Sequence, residues 1–598
     1  MMADFSAPTS NCEISMFADD IEIHSTAVKK SETERPLQCY LRKIEEWAGL
    51  WKLKFSVPKC VAVNFTRKKA REPDLNLTLY NTAITERKEF KFLGIIFDSK
   101  LTWNNHTEYL NASIQRRANL LKTLTYGKSA LQLKLLIRIY VAIIRSKVDY
   151  GSIILSTMPK TRVNKLETTQ NQIVRSILGC FKSTPTALIQ LETGITAIRD
   201  RWNLLATKYL AKLSYQTMHT PINNKTEWKE RSLPAIIRHL NAVEDGTIPQ
   251  LPEPTHQPYT HPIAPWNLFE INTGYFPLNK KKAINNTALT STMFLEIRNS
   301  EHKDHIAIYT DGSTCLKTLK TTCAVYIPET DFKKAWLLTE PTNSLNAELA
   351  AIKQALKGTY NQIWNEITIF TDSKSAIQAI SNFKRGTSPS IPEIIQEINN
   401  LKSAGTKINL YWIPSHSGIR ENEIVDQLAN TRRSADDGAM MTHSPNMAEI
   451  LTKIKNKHQN RTLEKIKQNS TNQAVTNRNL MGVCTWHTHR NRAIQTALMR
   501  LRSGHNRLNA TISKWDMNVQ PECPNGCTEK ENTEHVLIHC PHYSTERREL
   551  SDAFEELNLP LEVPTLTGIN FNIPKHTQGK IAKALIKNIT DTKIIERI

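Results

Sequence analysis

Four acidic residues stand where chemistry is expected: Asp311, Glu348, Asp372 and Asp426. Asp311 follows the apolar run Ile306-Ala307-Ile308-Tyr309-Thr310, and Asp372 follows Ile367-Thr368-Ile369-Phe370-Thr371. Both are therefore expected at strand ends, where side chains reach a crevice rather than the core. Glu348 accompanies Leu345, Leu349, Ile352 and Leu356, apolar residues at helical spacing, and so borders the buried face of a helix. Asp426 falls in the expected helix Glu421–Ala429, after the strand exit Trp412-Ile413-Pro414-Ser415-His416-Ser417-Gly418. Carboxylates that converge without cations repel one another and raise one another's pKa. Two Mg²⁺ ions about 4 Å apart, or Mn²⁺ in their place, would relieve that repulsion, activate a water and stabilise the leaving oxygen of a phosphodiester. Singly, each acid reads more readily as a cap, a turn residue or a solvated charge than as a catalytic group. The ordered set points to phosphodiester hydrolysis.

The elements that must position these acids are legible from periodicity. Strands are expected at Ile306–Thr310, Thr322–Ile327, Lys334–Thr339, Glu366–Thr371 and Lys407–Ile413. Helices are expected at Asn346–Lys357, Ser373–Asn382, Pro392–Ser403 and Glu421–Thr431. Strands followed by alternating helices and strands imply a mixed sheet with flanking helices. Upstream, the prolines between Pro249 and Pro265 exclude helix and central strand and mark an extended linker. Before it, Cys12–Phe97 reads as strands and turns with a helix near Pro36–Trp51, and Asn111–Tyr215 as several helices.

A second constellation lies near the C-terminus, where Cys523, Cys527, His535 and Cys540 offer thiolate and imidazole ligands within eighteen residues. That set suits tetrahedral zinc, with His539 and His542 as alternatives to His535. A knuckle of this size has little core of its own, so a structural Zn²⁺ is expected to supply its folding free energy. Its role is either structural or to grip RNA or DNA together with the basic segment Arg490–Arg507.

Composition sets the class of partner. The 598 residues carry 78 Lys plus Arg against 57 Asp plus Glu, a net charge of +21 and a basic pI that attracts polyanions. Ten cysteines are too sparse for a disulfide framework. No secretory signal or membrane-spanning stretch is visible, and an intracellular place, nuclear or cytoplasmic, is expected. Oligomeric state is not legible.

The motifs Tyr309-Thr310-Asp311-Gly312-Ser313, Asn346-Ala347-Glu348, Thr371-Asp372-Ser373 and Trp412-x-Pro-x-His416-x-Gly418 with Asp426 resemble those of type-one ribonuclease H over about Asp304–Arg433. The resemblance implies that Asp311, Glu348, Asp372 and Asp426 hold the catalytic metals. It implies that His416 is a mobile loop histidine assisting proton transfer or product release. It also makes Ser313, Asn346 and Ser373 candidates to contact 2′-hydroxyls of an RNA–DNA hybrid, against a bland role in caps and turns. Glu421 and Val425 depart from the family pattern, where glycine and a small residue are usual, without removing a ligand.

The hairpin expected at Cys12–Ser25, with Asp19 and Asp20 at its tip, is similar to the Asp-Asp hairpin of reverse transcriptases. Trp47–Arg67 and Phe90–Asp98 resemble the following palm segment and primer-gripping hairpin. The whole resembles a jockey-type non-LTR retrotransposon polyprotein, the cysteine cluster included. The expected division is a truncated palm (1–110), a helical thumb and connection (111–215), a proline-rich linker region (216–302), the ribonuclease H domain (303–434), a basic helical region (435–515), the zinc knuckle (516–545) and a tail (546–598). Only eighteen residues precede Asp19, so the chain alone is expected not to polymerise DNA. The alternatives are a non-enzymatic nucleic-acid-binding remnant, or an RNA-directed DNA polymerase completed by upstream segments.

Overall fold

The computed structural model describes residues 12–66, 73–125, 131–215, 271–315, 320–339, 342–359, 364–382, 390–435, 438–441, 447–470, 473–479, 481–482, 489–569 and 572–598, with Phe5 and Lys68. The proline cluster between Pro249 and Pro265 lies outside them. The chain divides into two units, one of residues from 207 to 458 and one of residues before 207 and after 458, apart from the short stretch 233–235.

The first unit is built on a seven-stranded mixed sheet. In chain order its elements are β1 (Asn272–Tyr275), α1 (Lys280–Asn285), α2 (Thr287–Ser300), β2 (Ile306–Thr314), β3 (Thr321–Ile327), β4 (Phe332–Leu338) and α3 (Ser344–Gly358). There follow β5 (Glu366–Thr371), α4 (Lys374–Ser381), α5 (Ser390–Ser403), β6 (Lys407–Trp412), α6 (Arg420–Ser434), β7 (Met440–Met441) and α7, the helix Met447–Gln468, whose first turns belong here. The sheet order is β7-β4-β3-β2-β5-β6-β1. β2, β3 and β4 form an antiparallel meander, while β5 and β6 join β2 in parallel. Continuous apolar runs make these inner strands, because both faces are covered. Ile308, Ile367, Ile369, Phe370, Ile408 and Leu410 are fully buried. Leu349, Ile352 and Leu356 of α3 complete the same core, as the helical spacing requires.

Three sequence expectations change here. β2 does not stop before Asp311 but continues to Thr314, because β3 pairs with it as far as Thr321 after the parallel partner β5 has ended at Thr371. Residues 271–302, read as linker, are folded. β1 extends the sheet beside β6, and Phe276 and Phe294 enter the core, Phe294 stacking edge-on against Phe370 at 5.3 Å. The linker reading extrapolated the proline cluster beyond Pro265, whereas periodic apolar residues resume at Ile271. Finally, α7 is not separate from this unit, since Glu449 and Ile450 are buried in it.

The other unit opens with the antiparallel hairpin Glu13–Phe17 and Asp20–His24. Ala18 and Asp19 form its two-residue turn, Ala18 in the left-handed region at φ 54°. A helix, Ser31–Leu50, a second hairpin, Glu89–Phe92 with Ile95–Asp98, and helices from Asn104 onward follow, the last of them, Ile198–Tyr215, belonging here as far as Ala206. The C-terminal helices Arg492–Ser503, Ser544–Glu556 and Lys575–Asp591 share a core that includes Cys523 and Cys540. Residues 546–598 are thus part of a packed body rather than a tail, since Leu550, Phe554, Leu585 and Ile589 repeat at helical spacing and are buried.

Candidate active site

β2 and β5 bring Asp311 and Asp372 to the line where their parallel pairing ends at Thr310 and Thr371. Gly312 then lets α3 come close. A Cβ there would lie 2.3 Å from the Glu348 nitrogen and 2.8 Å from its Cα, so only glycine allows the helix to set Glu348 beside Asp311. α3 starts at the cap Asn343, whose Oδ1 accepts from the Asn346 amide at 2.9 Å. Carboxylate oxygens of Asp311, Glu348 and Asp372 lie within 4.8 Å of one another. Asp426, on α6, shares a side-chain hydrogen bond with Asp311, and its Oδ2 is 3.3 Å from Nδ1 of His416.

Burial raises the pKa of every one of these acids, and neighbouring carboxylates add to it at Asp311, Glu348 and Asp426. Asp311 is pushed well up by burial and then by Asp426 and Asp372, and Glu348 by burial and then by Asp372 and Asp311. Burial raises Asp372 as well, against the opposing influence of Glu348, Lys280 and His416. Asp426 is pushed up to about 6, by burial first and Asp372 second. Oε2 of Glu348 is buried without a hydrogen-bond partner among the described residues, and Oδ2 of Asp426 has only His416 beside it. Hard oxygen donors with raised pKa values and an orphaned oxygen fit a divalent cation such as Mg²⁺.

Residues 303–434 match the RNase H family. The chain is 28% identical over 200 residues to an RNA-directed DNA polymerase from the mobile element jockey of Drosophila funebris, which covers 33% of this chain and 22% of that protein. Its Drosophila melanogaster counterpart is 24% identical over 201 residues, 34% of this chain and 22% of that protein. A probable RNA-directed DNA polymerase from transposon BS of Drosophila melanogaster is 27% identical over 200 residues, with coverage of 33% and 22%. The chain thus carries a region that matches RNase H and is similar, over about a third of its length, to RNA-directed DNA polymerases of jockey-type mobile elements. The matched region spans 22% of the length of these curated relatives.

Around the RNase H acids, the other sequence candidates fall differently. His416 is exposed, 73% for its side chain, on a loop where it takes φ 50°. Ser313 accepts from Arg433 at 2.7 Å and lies 3.3 Å from Asn430. Ser373 caps α4, its Oγ accepting from the Ala376 amide at 3.3 Å, which is the bland role weighed for it. Asn346 is a correction. It is buried, and its Nδ2 donates to Glu449 at 2.6 Å, so it is not offered to a substrate. Glu449 lies downstream of the matched residues, and no local sequence signal ties it to α3. Two further contributors escaped the sequence reading: Trp412, whose Nε1 donates to the Asp372 carbonyl at 3.0 Å, and Lys280.

In the other unit, Cys523, Cys527, His535 and Cys540 converge. The sulfurs of Cys523 and Cys527 lie 3.9 and 3.8 Å from that of Cys540. A tetrahedron with Zn–S bonds near 2.3 Å has edges of about 3.8 Å. Nε2 of His535 is buried without a partner, while Nδ1 meets Glu529 at 2.6 Å. The donors therefore fit Zn²⁺. His539 and His542 are exposed, leaving His535 as the imidazole of the cluster. Cys523 and Cys540 share a core with three helices, so the cluster is not the isolated, coreless knuckle expected. Asp19 and Asp20 are exposed at the first hairpin. Among the described residues no helix is long and apolar enough to cross a membrane.

Proposed function

We propose that this chain hydrolyses the RNA strand of RNA–DNA hybrids at Asp311, Glu348, Asp372 and Asp426. The observation that carries the reading is the convergence of three carboxylates within 4.8 Å on an RNase H sheet, with one buried oxygen of Glu348 left unpartnered. Magnesium or manganese, held by these four acids in a two-metal arrangement, would polarise the phosphodiester and acidify the attacking water. Glu348, the most deeply buried of the acids, and Asp311 orient the scissile phosphate from the floor of the cleft. Asp426 and the exposed His416, 3.3 Å apart, pass a proton between the leaving oxygen and solvent. Ser313 and Ser373, beside the acids, are the remaining contacts for a 2′-hydroxyl once Asn346 is held by Glu449.

Cys523, Cys527, His535 and Cys540 would hold a structural zinc. The hairpins around Asp19-Asp20 and Glu89–Asp98, followed by helices, support reading the N-terminal region as polymerase palm and thumb, in keeping with the names of the relatives.

The test is incubation of the purified chain with a labelled RNA–DNA hybrid and Mg²⁺, beside Asp372→Asn and a single-stranded RNA control. Hybrid-specific cutting that disappears in the variant is expected. A folded wild type that leaves the hybrid intact would leave a nucleic-acid-binding remnant as the reading.

A further inference from the structure

The segment 271–302 precedes the residues that match the RNase H family, yet it is built into the wall of the acidic cleft. Three contacts fix it there. β1 runs parallel to β6 with Tyr275 opposite Trp412, and the Phe276 amide donates to the Trp412 carbonyl at 3.0 Å. Gly274 makes the approach feasible, since a Cβ there would lie 2.3 Å from the Tyr411 ring. Thr287, at the start of α2, backs the loop of His416, its Cβ 3.1 Å from where a Cβ of Gly418 would be.

What this segment displays is basic. Lys280, Lys281 and Lys282 are consecutive and exposed on α1, and none forms an ion pair among the described residues. Lys374, at the start of α4, sets its ammonium 5.2 Å from the Tyr275 ring and 5.7 Å from the Trp412 ring. Trp412 in turn donates to the carbonyl of Asp372. Tyr275 is 40% exposed beside Lys374. A chain of contacts therefore runs from Asp372 through Trp412 and Lys374 to Tyr275, and α1 lies in the chain between Tyr275, beside Trp412, and Thr287, which backs the His416 loop. A merely solvated helix face would account for three lysines; it would not account for their being anchored through β1 to the edge of the cleft. The summed positive charge of this strip attracts a polyanion.

We propose that Lys280, Lys281 and Lys282, together with Lys374 beside Tyr275, bind the phosphodiester backbone of a nucleic-acid duplex entering the cleft. The strip holds phosphates electrostatically, does not read sequence, and is an addition to the matched RNase H domain. Its place beside the acids rests on the nuclease reading, but its binding is separable from catalysis.

The experiment is fluorescence anisotropy of a short labelled RNA–DNA hybrid with the full chain, in Ca²⁺ in place of Mg²⁺, across a salt series. Three proteins are compared: wild type, Lys280→Gln/Lys281→Gln/Lys282→Gln, and Lys575→Gln/Lys580→Gln/Lys583→Gln, which removes equal charge from exposed positions of the helix Lys575–Asp591 in the other unit. The strip variant should lose about 2–3 units of the slope of log affinity against log salt, near 0.9 per phosphate contact, and weaken at least roughly tenfold at physiological salt, with melting unchanged. The second variant should lose little. Equal losses in both variants, or an unchanged slope in the strip variant, would overturn the proposal. The expected loss in a protein that binds but never cuts would support the strip while sinking the nuclease reading.

Discussion

A methyl group at Gly312 would stand 2.3 Å from the amide nitrogen of Glu348. Backbone cannot yield as a flexible side chain does, so Gly312→Ala should cost about 1–3 kcal/mol and move α3 away from Asp311. Melting and hybrid cutting should fall together. The acids behave in the opposite sense. Burial raises them all, and Asp426 reaches about 6 against its ordinary 3.8. A carboxyl whose pKa is higher folded than unfolded binds its proton more tightly in the fold, so its stabilising effect is present at low pH and lost as pH rises through the folded value. In EDTA the wild type should therefore lose melting temperature between about pH 4 and about pH 6 relative to Asp426→Asn, by roughly a few degrees. An identical pH course in the two proteins would refute the repulsion. Asp372→Asn should leave the fold intact while cutting falls about 1,000-fold, the scale of several kcal/mol of transition-state stabilisation. The four acids were legible because each sits at a fixed place in a periodic segment. Asn346 was misread because its partner Glu449 lies about a hundred residues downstream and leaves no local signal.

At the scale of elements, the RNase H strands and helices were legible nearly throughout, since buried parallel strands and an amphipathic helix carry unmistakable apolar patterns. The exceptions are informative. The overrun of β2 past Asp311 depends on pairing with β3, and pairing is a property of two segments rather than of one. The segment 271–302 was hidden because its strand is short and lies at the sheet edge, where alternation is weak. Its structural role is testable apart from its lysines. Phe294 is buried against Tyr309 and Phe370, so Phe294→Ala should cost about 3–5 kcal/mol, read as a lower denaturant midpoint for the unit that holds the acids. A surface-like cost below about 0.5 kcal/mol would instead mean that 271–302 only decorates the domain.

For the molecule as a whole, the RNase H unit and the cysteine cluster draw on different cores, one with Ile369, Phe370 and Leu410 and another with Leu550, Phe554 and Leu585. Chelation of zinc, or Cys540→Ser, should loosen the region around 521–543 in hydrogen exchange while hybrid cutting persists; loss of cutting on chelator treatment, with Mg²⁺ restored, would show coupling between the units. Residue types and spacing by themselves determined the carboxylate set, the thiolate–imidazole set, the basic balance and the order of elements, because each is written in local periodicity or composition. Only the tertiary structure decided that Gly312 must be glycine, that Asn346 faces Glu449, that 271–302 belongs to the sheet and that the cysteines share a helical core. Those facts are contacts between segments distant in sequence, and they arise when apolar faces find the partners that bury them.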